Sequence, residues 1–81
     1  MSHARLIPLA MAAEGDKVRV CSLRAGKSLE KRLTEMGLNL ETELEVVQRH
    51  TNGAVVVARG GMRLALGAGM AHKIMVAPVG A

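Results

Sequence analysis

No phenylalanine, tyrosine or tryptophan occurs anywhere in this sequence, and that absence removes whole classes of function. Grooves that read proline-rich peptides are lined by aromatic rings. Proteins that bind single-stranded nucleic acid stack bases on such rings. Neither device can be built here. Cysteine is nearly absent too: Cys21 is alone, so no disulfide can form within the chain, and an unpaired thiol suits a reducing compartment. No apolar run approaches the length of a membrane span. Residues Leu6 to Ala13 follow Arg5 and could imitate a short signal peptide with Ala10-Met11-Ala12 as its cleavage site. The run is short, Pro8 interrupts it, and cleavage would leave the tight Glu14-Gly15-Asp16 turn as the new start, so a cytoplasmic protein is expected. The net charge of +4 permits attraction to phosphate, but signs alternate along most of the chain. Glu41, Glu43 and Glu45 share one side and would repel a polyanion, so nucleic-acid binding is not expected.

What is present reads as short strands. A length of 81 residues makes one domain. Residues 1–5 carry no pattern and are expected to be a flexible tail; residues 6–78 form the domain. Leu6 to Leu9 suits a short edge strand, where Pro8 is tolerated. Lys17-Val18-Arg19-Val20 and Glu43-Leu44-Glu45-Val46 alternate charged and apolar residues, the signature of half-buried strands. Val47 breaks the alternation and predicts a bulge. Asn52-Gly53 and Gly60-Gly61 predict tight two-residue hairpin turns around the strand Ala54–Arg59. Met62 to Leu66 is the next strand, Gly67 to His72 has room for only one tight turn, and Ile74 to Val76 is the last strand, ended by Pro78. One helix interrupts this series. Cys21 to Ser28 reads as a polar loop, Ser28 as a cap, and Leu29, Leu33 and Met36 as a buried face. Gly37 can take the left-handed conformation that stops a helix, and Leu38 then re-enters the core. Five or six short strands with one short α-helix predict a mainly β fold, a small SH3-like barrel; an OB-like barrel is the alternative.

Few residues suggest chemistry. Gly26-Lys27-Ser28 resembles the end of a phosphate loop, but Cys21 stands where the first Gly is needed. Gly67-Ala68-Gly69 lacks the third Gly of a dinucleotide loop, since His72 occupies that position. No nucleophile, base and orienting group assemble, so the chain is not expected to be an enzyme. Cys21, His50 and His72 are metal-ligand types without the close spacing of a preformed site. They suit at most an ion, Fe2+ or Zn2+, held adventitiously or between two molecules, and no cofactor is required. Met11, Met36, Met62, Met70 and Met75 are expected to be adaptable core filler. Arg24, Lys27 and Lys31 gather at the helix start, while Lys31 and Glu35 lie four apart on its outward face.

Taken together, Pro8-Leu9 before the Gly15 turn, Leu33-x-Glu35-Met36-Gly37-Leu38, Leu44-x-Val46, Val57-x-Arg59-Gly60, Leu64-Ala65-Leu66 and Ala71-x-x-Ile74-x-Val76 resemble the ferrous iron transport protein A (FeoA) family from about Ile7 to Val76. The resemblance implies an SH3-like module that acts on the cytoplasmic GTP-binding part of the membrane ferrous iron transporter B. The same module closes iron-dependent repressors, but no DNA-binding helices are found in this chain. The expected role is therefore a non-enzymatic accessory protein of bacterial ferrous iron uptake, recruited to the inner face of the cytoplasmic membrane. Lys31, Glu35, Gly37, Leu38 and Leu40 are the expected partner-binding residues, with Leu33 and Met36 supporting them from the core. Homodimerisation stays open. The alternatives are a transition-metal sensor or carrier using Cys21, His50 and His72, and a small basic nucleic-acid binder. Family members usually carry Pro-Gly soon after Met-Gly-Leu. Leu40-Glu41 stands here instead, which predicts a type I turn or a looser loop and an exposed Leu40.

Overall fold

Alternating residues sort themselves onto two faces of one antiparallel sheet. The computed structural model describes residues 6–24 and 26–79; the expected tail at 1–5 lies outside them. Strands β1 (Ile7–Pro8), β2 (Lys17–Leu23), β3 (Glu43–Arg49), β4 (Val55–Arg59), β5 (Met62–Leu66) and β6 (Ile74–Pro78) pair in the order β1-β6-β2-β3-β4-β5. Register places Val18 opposite Leu44, Val20 opposite Val76, and Val46 opposite Val57. All six side chains are buried, whereas Lys17, Arg19, Glu43 and Glu45 between them face solvent. Each fully buried Val or Leu contributes about 1.5–3 kcal/mol by leaving water. The bulge at Val47 is present, as the register shift between Val46 and Gln48 shows. This is the mainly β, SH3-like architecture read from the sequence.

Two helices complete it. α1 (Lys27–Glu35) crosses from β2 to β3, and α2 (Ala68–Lys73) precedes β6. α2 corrects the expectation of a single tight turn over 67–72: Ala71 is fully buried, and the element packs on the 3-10 turn at Leu9–Met11. Packing holds a six-residue helix that is too short to persist alone. The same 3-10 turn shortens β1, which ends at Pro8 rather than Leu9. Leu9, Ala10 and Ala12 enter the core, so the stretch that imitates a signal peptide is integral to the fold.

β2 is longer than Lys17-to-Val20. A register shift between Val20 and Ser22 lets it continue to Leu23, opposite Ile74. The bulge at Cys21 breaks the period of two that would have revealed the extension. The Asn52-Gly53 turn also differs. His50 and Ala54 close a three-residue loop, N–H of His50 to the carbonyl of Ala54 at 2.9 Å, with Gly53 at φ +94°. This is the type I turn plus left-handed residue that follows next after two-residue loops in frequency. Gly60-Gly61 is the two-residue turn expected, with Arg59 opposite Met62.

Candidate functional site at the exit of helix α1

The helix begins two residues earlier than its sequence suggests. Gly26 is the N-cap, extended at φ −68° and ψ 169°, and no side chain bonds the free amides. Ser28 therefore lies inside the first turn and does not cap it. The cause is upstream: β2 runs to Leu23, and the Arg24 N–H donates to the Lys73 carbonyl at 2.6 Å. The connection from β2 is thus short, residues 24–26, and the helix starts on the extended Gly26. Glu30, in the first turn, offers the negative charge that unpaired amides favour.

The opposite end follows the sequence closely. Leu33 is fully buried, with Leu29 and Met36 partly buried against the same core. Gly37 adopts φ +87°. Its N–H donates to the Thr34 carbonyl at 2.9 Å, and the Leu38 N–H donates to the Leu33 carbonyl at 2.8 Å. These two bonds form a Schellman stop, and its accompanying apolar contact joins Leu33 and Leu38. A Cβ at position 37 would lie 2.9 Å from Arg59 Nη1, the movable end of an exposed side chain. Arg59 thus rests its cation by the negative end of the helix.

The chain then turns a second time. The Thr42 N–H donates to the Asn39 carbonyl at 3.2 Å, and Glu41 sits at φ +70°. A left-handed third residue defines a type II turn, so the expected type I turn or loose loop is not formed. Two bonds to β2 impose the geometry: the Glu41 N–H donates to the Val20 carbonyl at 2.6 Å, and the Val20 N–H donates to the Thr42 carbonyl at 2.9 Å. Glu41 occupies the position that Gly would fill without strain.

This turn lifts Leu40 into solvent, 59% exposed. Leu40 and Asn39 form one wall of an open groove of about 510 Å3; Glu30 and Thr34 of α1 form another, and Cys21, Ser22 and Leu23 of β2 complete it. Glu30 and Thr34 also border a shallow depression beside Lys27, Lys31 and Glu35, so groove and outer helix face are continuous. Of the expected contact residues, Lys31, Glu35 and Leu40 are exposed and share this surface. Gly37 is half-buried beneath Arg59. Leu38, at 0% exposure, cannot touch a partner and belongs with Leu33 and Met36 as support. Among the described residues the ion pair within 4.0 Å is Arg19–Glu43 at 3.6 Å. Lys31 and Glu35 do not pair, which leaves both charges free for a partner. Glu30, Thr34, Asn39, Ser22 and Leu23 line the groove but are absent from the expected set. Glu30 and Thr34 carry a signal in their i, i+4 spacing beside Leu29 and Leu33; the β2 residues were hidden by the bulge.

The metal-ligand types do not converge. Cys21 is exposed on β2, its thiol 3.5 Å from the Arg19 carbonyl. His50 is exposed at the end of β3, and His72 is exposed on α2. Among the described residues no three His, Cys, Asp or Glu side chains come together as the donor set of a closed zinc site would.

Comparison with known proteins gives this geometry its context. The model of the FeoA domain matches residues 7–78. A protein of Methanocaldococcus jannaschii named Fe(2+) transport protein A is 42% identical over 71 residues, 88% of this chain and 85% of its own. The crystal structure of an iron uptake regulatory protein (FeoA) superposes with a TM-score of 0.85 at 31% identity, covering 93% of this chain and 100% of its own. A manganese-dependent transcriptional repressor reaches the same TM-score of 0.85 at 22% identity, over 96% of this chain and 44% of its own. That last likeness is one of fold.

Proposed function

The chain belongs to the FeoA domain family, and from that premise we propose that it is a non-enzymatic accessory protein of ferrous iron transport. It acts by docking on the cytoplasmic GTP-binding part of the ferrous iron transporter B. The observation that carries the docking surface is Leu40: a large apolar side chain, 59% exposed, presented by a turn whose left-handed residue is held by hydrogen bonds to β2. Strained backbone persists only where its surroundings over-determine it, and such residues cluster at binding sites. Leu40 supplies an apolar anchor, and Lys31, Glu35, Glu30 and Asn39 supply a polar rim, the usual anatomy of a contact centre. No helix among the described residues is long and apolar enough to cross a membrane, which suits a protein that reaches its transporter by docking.

An adaptor of this kind does no chemistry. It shifts its partner between conformations only to the extent that it binds one better; a tenfold preference is about 1.4 kcal/mol. The test is titration of the purified chain into the isolated GTP-binding domain, loaded in turn with GDP and with a non-hydrolysable GTP analogue. Saturable binding in at least one nucleotide state is expected, with loss in Leu40→Asp. Absence of binding in every state contradicts the reading.

A further inference from the structure

Charge in this molecule is segregated by position in the fold. The net charge is +4, and two short segments account for all of it: residues 24–32 and 72–73 hold Arg24, Lys27, Lys31, Arg32 and Lys73 against one acid, Glu30. The remaining six basic and six acidic residues cancel. The sheet brings the two segments together. Leu23 pairs with Ile74, and the Arg24 N–H bonds the Lys73 carbonyl at 2.6 Å. All five basic residues are exposed, as is His72, which precedes Lys73 in the last turn of α2. None takes part in an ion pair among the described residues. The large exposed apolar residues, Leu6, Met11, Leu40 and Met62, belong to neither segment.

We infer that this cationic end seats the protein on a flat anionic lipid surface. The shape of the neighbourhood selects that occupant. The groove beside the cluster contains Glu30 and no Lys or Arg, and the depression continuous with it sets Glu30 and Glu35 beside Lys27 and Lys31. An acidic peptide laid along this surface would touch carboxylates, whereas a hydrated headgroup surface held off from it feels the net positive charge. Single-stranded nucleic acid would find no ring to stack on, since the chain has no aromatic residue. A planar surface of anionic headgroups needs only outward-facing cations, and juxtaposed Lys and Arg side chains are attracted to it within a Debye length of about 8 Å at physiological salt. The inference shares Lys31 with the docking rim but not Leu40, and its test contains no transporter, so it stands or falls apart from the docking reading.

Sedimentation with lipid vesicles tests it, using the full chain and no transporter. Phosphatidylcholine vesicles with roughly a third phosphatidylglycerol are compared with pure phosphatidylcholine, at ionic strengths of about 0.01 and 0.15 M. Binding only to the anionic vesicles, weakened by salt, is expected. The double variant Lys27→Gln/Lys31→Gln should lose about 30-fold in affinity. Arg49→Gln/Arg63→Gln removes the same charge elsewhere on the surface and should bind as wild type does. Melting temperatures confirm that both remain folded, and Lys73→Gln probes the other segment if the first double does not fold. Equal binding to both vesicle types, equal loss in both doubles, or tighter binding to polyglutamate or duplex DNA overturns the inference.

Discussion

Gly37 and Glu41 adopt nearly the same left-handed backbone, four residues apart, for opposite reasons. At Gly37, φ +87° is the natural choice of the residue: glycine pays no steric penalty there, and the Schellman bonds merely complete a helix stop. At Glu41, φ +70° opposes the residue, and about 1–2 kcal/mol of steric cost is met by two hydrogen bonds to β2. The residues between them divide accordingly. Leu38, beside Gly37, is buried; Leu40, beside Glu41, stands in solvent. One turn is built for stability. The other keeps an apolar side chain outside the core at a cost in stability, which is the pattern of a surface kept for contact.

Substitutions can break each half of this contrast. Leu38→Ala should have the largest effect, a loss of about 2–5 kcal/mol in urea unfolding, because it empties a fully buried site. Gly37→Ala should cost about 1–2 kcal/mol from left-handed strain, because the Arg59 Nη1 that a Cβ would meet at 2.9 Å is the free end of an exposed side chain and can swing aside. Pairing it with Arg59→Ala sharpens the point: the loss should stay nearly unchanged, because the backbone and not the guanidinium sets it. Glu41→Gly should move the other way, stabilising by about 0.5–1 kcal/mol once the greater freedom of unfolded Gly offsets part of the relieved strain. Destabilisation there would show that the Glu41 side chain, rather than the β2 bonds, holds the turn. Leu40→Asp should leave stability within about 0.5 kcal/mol, because Leu40 contributes little to the core.

The same two residues mark how far the sequence could be read. The helix stop is a local event: Leu29, Leu33, Met36, Gly37 and Leu38 carry their own spacing and propensity, and the structure follows them. The Val47 bulge is legible for the same reason, as a break in a clear alternation. Glu41 is not, because its conformation is imposed by Val20, distant in sequence, against local preference. Leu23 was hidden by the bulge at Cys21, and α2 by glycines at 67 and 69 that argue for a loop until Ala71 is seen to be buried. The groove shares this limit. Leu40, Lys31 and Glu35 could be named one by one, but their continuity through Glu30 and Thr34 depends on where β2 ends.

Iron(II) uptake by a strain lacking this gene, complemented with Leu40→Asp, tests the contact role of the second turn most directly. The variant must first match wild type in expression and melting temperature. Uptake should stay near that of the uncomplemented strain, with Glu35→Lys impaired in the same direction. Full restoration of uptake by Leu40→Asp would contradict it.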